Sequence, residues 1–273
     1  MAELIKPISV KDYLEFEEQE TKRLQARWKA ELDSFSALGD LYGLLAANIK
    51  VSAQNLILPC RLFLAVESQM YGVVSQLLRR RMTDALALTR RAIEAAAAAY
   101  LVWEKPALAE VFLNAYPNVN MADDLKQWKP SKKYKEEFST QKLFDHDGEV
   151  WNRLRSTYQV TSAMCSHAGP GVLKDQENRN QQLYVHFVHP DEGEGRRHWY
   201  WIMGSYFEML RVFMRIFREQ LERTFLGQLE KDIIGWRDKS AKQFDELARQ
   251  SSKDTLKDSS LILRHEQVKF LFR

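Results

Sequence analysis

Two cysteines in 273 residues, Cys60 and Cys165, leave no material for a disulfide framework. A reducing cytoplasm is the simplest setting for such a chain. Excess charge of one sign is also scarce. The formal net charge is +3, which by itself indicates no nucleic-acid partner. Long apolar runs are missing too. The most apolar window, "AIEAAAAAYLVW" at 92–103, stops at Glu104 and Lys105, whereas a spanning helix needs about 20 apolar residues. It reads as a buried core helix, and no membrane partner is expected. The N-terminal stretch turns acidic without a long apolar core, unlike a signal peptide. There is no G-x-x-x-x-G-K-[ST], no G-x-G-x-x-G, no H-E-x-x-H and no G-x-S-x-G. No cofactor and no metal are expected.

What is present is a core. The composition is 45% hydrophobic, with seven Trp, ten Tyr and fourteen Phe, too rich in large apolar groups for a long disordered chain. Those groups recur at helical spacing. Leu24, Trp28, Leu32 and Phe35 predict a first long helix over 10–35 that ends near Gly39 or runs on weakly. Phe63, Val66, Met70, Val73 and Leu77 predict a second helix, with Pro59 in its first turn. Thr83 or Asp84 can cap the next helix, which runs to Trp103 before Pro106. Ala95–Ala99 allow close backbone approach, so these two helices should pair tightly and antiparallel. Residues 106–149 are less regular. Val150, Leu154, Tyr158, Thr161 and Cys165 give the following helix an inward stripe, ended by Gly169, Pro170 and Gly171.

"QQLYVHFVHP" then alternates like a strand, and "DEGEG" reads as a turn-like linker. From His198 the helical period returns through Trp199, Ile202, Tyr206, Leu210, Phe213 and Phe217 and weakens near Gly227. The expected fold is therefore all-α: an irregular antiparallel helical bundle with a short extended or hairpin insertion. Residues 1–235 form the bundle, and 236–273 form a C-terminal helical extension and tail.

The chemistry is sparser. His167 could act as a base, bind a metal, or hydrogen-bond at a helix end. Cys165 lies on an apolar stripe and reads as core. His186 and His189 could share a metal only if the backbone turned, because on a strand they point to opposite faces. Arg90, Arg91 and Glu94 sit in an otherwise apolar helical segment and need partners if buried. Glu94 could pair with an arginine or with His167. That would be an organising polar network or the edge of a cleft. Arg79–Arg81 with Arg90–Arg91 raise non-catalytic nucleic-acid binding, provided they share one surface.

"LTRRAIEAAAAAYLVW", then "YQVTSAMCSHAGPG", then an extended insertion and a long helix, resembles an uncharacterised bacterial all-helical family of the DUF5677 type. The resemblance covers about residues 55–225 and implies matched positions at Arg90, Glu94, Tyr158, Ser162 and His167. Such proteins are loosely similar to the HEPN group, which includes ribonucleases and phage-defence components. The group's Arg-to-His spacing resembles Arg179 and His186 in "RNQQLYVH". The resemblance thus implies a metal-independent ribonuclease in which His186 or His167 is the base and Arg179 or Arg90 steadies the phosphate. The leading expectation is a protein-interaction or oligomeric module with a protein partner or a second copy, within a stress or defence system. RNA cleavage and non-catalytic nucleic-acid binding are the alternatives.

Overall fold

The computed structural model describes residues 10–50, 53–79, 81–115, 130–165 and 192–254. Helical burial explains the order of elements. Each long helix carries one apolar stripe, and the bundle forms by facing those stripes inward. Among the described residues the chain is all-α, an irregular helical bundle without strands. The expected extended insertion at 181–190, like the tail after Asp254, lies outside the described residues.

The long first helix is in fact two, α1 (Val10–Arg27) and α2 (Lys29–Asn48), joined at Trp28. Trp28 takes φ −100° and ψ 33°, yet the ladder of hydrogen bonds continues through it. Its N–H donates to Leu24 O at 2.7 Å, and its carbonyl accepts from Leu32 N at 2.9 Å. The indole is buried and meets Trp199 edge-on at 5.7 Å. The break thus falls at a residue packed across the bundle, within a helical period that runs straight through this point.

The next pair, α3 (Ile57–Leu78) and α4 (Met82–Glu104), pack along one another more extensively than any other two helices. Phe63, Val66, Met70 and Val73 are fully buried on α3. Ala92, Ala96, Ala97 and Ala99 are fully buried on α4. Their small side chains let α4 lie at once against α3 and against the later helices Glu149–Cys165 and Glu192–Phe217. The expected cap is not there. Arg81, not Thr83 or Asp84, occupies the N-cap position of α4, and no side chain caps the helix. Arg81 turns away to Glu17 of α1 at 2.5 Å. The segment Gln54–Leu78 is long and apolar enough to cross a membrane by length and composition alone.

Three short pieces follow: α5 (Leu108–Leu113), α6 (Lys132–Glu137) and α7 (Thr140–Leu143). Ser131 caps α6 by accepting from Tyr134 N at 3.2 Å. Gly148, at φ 114°, starts α8 (Glu149–Cys165) in a conformation that favours glycine.

Helix α9 spans Glu192–Phe217. It starts before His198, so Glu192–Gly195 of "DEGEG" are its first turn and not a linker. Gly195 has a packing reason: a Cβ there would stand 3.0 Å from the Trp28 ring. Helix α10 (Arg223–Asp254) follows a 3-10 turn at Arg218–Gln220, so the break precedes Gly227. It runs unbroken past residue 235. Its Trp236 Nε1 donates to Ser34 O at 2.8 Å, and Ser240 Oγ lies 3.0 Å from Ser34 Oγ. Trp236 also stacks on Phe207 of α9 at 5.4 Å.

Candidate functional site

One turn of α4 brings Arg90 and Glu94 onto the same face, and Arg90 Nε donates to Glu94 Oε1 at 3.1 Å. Helix α8 packs on α4 and presents Tyr158 to the same guanidinium. Arg90 Nη2 donates to Tyr158 Oη at 3.2 Å, and its Cζ lies 5.2 Å from the centre of the tyrosine ring. Thr140 of α7 completes the contact, its Oγ1 3.3 Å from Tyr158 Oη. Phe144 packs against the Tyr158 ring at 4.9 Å and accepts a hydrogen bond from Arg155 through its carbonyl. The group therefore ties α4, α7 and α8 together. Burial works against the Arg90 charge, but Glu94 and Tyr158 outweigh it and hold the guanidinium's pKa above its ordinary value.

The Arg90 and Glu94 side chains are 32% and 36% exposed. They lie on the rim of the bundle, neither sealed beneath it nor free in solvent. Ser162 is half-buried one turn beyond Tyr158. The structure thus joins Arg90, Glu94 and Tyr158 directly and puts Ser162 on the adjacent turn of α8. His167, Arg179, His186 and His189 lie outside the described residues, as does the Cys165 side chain.

Two charged clusters escape a reading of spacing. Arg153 of α8 is buried and donates through Nη1 to Glu208 Oε1 of α9 at 2.5 Å. Its Nη2 donates to Glu149, and Arg211 Nη1 donates to the other Glu208 oxygen at 2.9 Å. Burial pushes the Glu208 carboxyl up, and the two guanidiniums pull it back. The ion pair continues as a polar column, with Ser205 Oγ donating to Thr157 Oγ1 at 3.1 Å and Thr161 buried one turn on. The available signal was Arg153, Thr157 and Thr161 recurring every fourth residue on one helix. It marked a polar face and named no partner.

The second cluster gathers at the C-terminal end of α4. His146 Nδ1 is 3.6 Å from Glu104 Oε2. Its ring meets Tyr100 at 4.8 Å and Trp151 at 4.5 Å. Arg215 of α9 covers the other aromatic wall, 5.1 Å from the Tyr100 centroid. Burial pulls the His146 pKa down against the charge of Glu104. Burial and a hydrogen bond with Glu104 push the Tyr100 hydroxyl up to about 12. His146 Nε2 is buried and meets no hydrogen-bond partner among the described residues.

Among the described residues no three His, Cys, Asp or Glu side chains converge as a metal site would require. Of the arginines considered for phosphate binding, Arg81 is paired to Glu17 and lies 3.9 Å from Asp84. Arg90 is engaged by Glu94 and Tyr158, whereas Arg79 and Arg91 are exposed. Comparison with known proteins finds no matching family model, no similar curated protein and no similar solved structure. The DUF5677-type and HEPN resemblance therefore rests on its sequence residues alone.

Proposed function

We propose that this chain is a helical interaction module and that Arg90, Glu94 and Tyr158 serve as a fastening between helices. The observation that carries the reading is the in-chain use of the Arg90 guanidinium. Its Nε is committed to Glu94 and its Nη2 to Tyr158, whose hydroxyl also meets Thr140. These bonds take two of the guanidinium's five N–H donors, and Glu94 sets a carboxylate beside the charge that a phosphate would have to displace. The buried charges of α8 and α9 are likewise matched within the bundle. Meanwhile α3 keeps large apolar side chains at the surface, and apolar surface offered to solvent is a feature of association surfaces.

The test is a cleavage assay with the full chain, a labelled single-stranded RNA and a chelator. The reading expects no cleavage above the blank. Cleavage that disappears in folded His167→Ala or His186→Ala protein would overturn it in favour of a ribonuclease.

A further inference from the structure

Helix α3 keeps one face out of the bundle. Ile57, Leu64 and Tyr71 recur every seventh residue and are 44%, 52% and 54% exposed. Seven residues make almost two turns, so the three side chains form one apolar strip along the helix. Tyr71 leans edge-on against Phe35 of α2 at 5.4 Å. Arg61 and Glu67 flank Leu64, three residues before it and three after, on opposite sides of the strip. Arg61 is exposed and Glu67 is half-buried. No ion pair joins either to another described residue. Burial without a matching cation pushes the Glu67 carboxyl up.

We propose that this face binds a second copy of the chain across a two-fold axis at Leu64. The proposal rests on the interaction reading above and names its partner. Arg61, Leu64 and Glu67 form one row of side chains spaced by three, a ridge oblique to the helix axis. Two copies of that row laid head to tail set Arg61 of each chain against Glu67 of the other, and Leu64 meets its counterpart on the axis. A two-fold contact requires such self-complementarity, because one patch supplies both sides. The charge match selects a second copy over a lipid surface, which would bury Glu67 without a cation. With the rows aligned, the two α3 helices cross steeply. A contact made by one helix face is small, so the association is modest.

The test is sedimentation equilibrium of the full chain from nanomolar to tens of micromolar concentration. Wild type reaches twice the 32.0 kDa chain mass as concentration rises. Arg61→Glu and Glu67→Arg, each checked for unchanged helix content, stay at the single-chain mass because each sets like charges together twice. An equimolar mixture of the two variants regains the doubled mass, since every contact again pairs Glu with Arg. The chain carrying both changes also dimerises. A wild type that stays monomeric, or a dimer that both single variants preserve, overturns the proposal. So does wild-type binding to phosphatidylcholine vesicles in place of self-association. A monomer that cleaves no RNA removes only this partner, whereas RNA cleavage strikes the interaction reading itself.

Discussion

Arg153 and Glu208, fifty-five residues apart in sequence, meet at 2.5 Å across the interface of α8 and α9. Glu208 is fully buried, and the Arg153 side chain is only 3% exposed. Removing one member leaves the other buried charge with its second partner alone, Glu208 with Arg211 and Arg153 with Glu149. Glu208→Gln or Arg153→Met alone should cost about 3 kcal/mol, the low end for a broken buried pair, while the joint change to Arg153→Met and Glu208→Leu should lose less than the sum of the two. Urea unfolding of the three variants measures this. Additive losses would show that the two side chains act independently.

The Arg90 fastening is weaker because it lies at the rim. Arg90→Ala and Tyr158→Phe should show a coupling of about 1 kcal/mol in a double-mutant cycle, reduced by solvent screening. A coupling near zero would leave the contact without energetic content.

Gly195 and Gly235 should respond to alanine with opposite signs. Alanine favours helix over glycine by about 1 kcal/mol. At Gly235 no described residue lies within 4 Å of an added Cβ, so the gain is realised. At Gly195 the Cβ meets the Trp28 ring at 3.0 Å, and that ring is held in the core. Overpacking there should outweigh the helix term. Thermal unfolding separates the two, with Gly195→Ala lowering Tm and Gly235→Ala raising it.

His146 should make stability depend on pH. Burial lowers its pKa in the folded chain, so the unfolded chain binds the proton more readily. Glu104 and Asp145 oppose that shift, while Lys105 and Arg215 reinforce it. The contribution is present above the ordinary histidine value, about 6.5. It declines as pH falls from there toward the lower folded value. His146→Phe keeps the packing on Tyr100 and Trp151 and should lose less stability than wild type between neutral pH and pH 5. Parallel unfolding curves at several pH values decide it, and identical slopes would contradict the assignment.

The long stripes were legible because burial on one helix face repeats at helical period. Phe63, Val66, Met70, Val73 and Leu77 are all inside, as are Trp199, Ile202, Tyr206, Leu210, Phe213 and Phe217. Arg90 and Glu94 were legible for the same local reason. The break at Trp28 was not, since the apolar period runs straight through it and the contact it makes, with Trp199, is with a distant helix. The early start of α9 was hidden by glycines that read as a linker until Trp28 supplies the reason for Gly195. Arg153 with Glu208 depends on the register between two helices, which no single-helix spacing contains.

The most direct test of association through α3 is a distance between two chains. Ser68 is exposed on α3 beside Leu64, close to where the two-fold axis falls, and Ile234 on α10 is a control 49% exposed. Spin labels can be placed on Ser68→Cys and, separately, Ile234→Cys, each with Cys60→Ser and Cys165→Ser, for pulsed electron paramagnetic resonance. The account predicts a short inter-chain distance at position 68 and a much longer one at position 234. A dimer with the short distance at 234, or with none at 68, would contradict it.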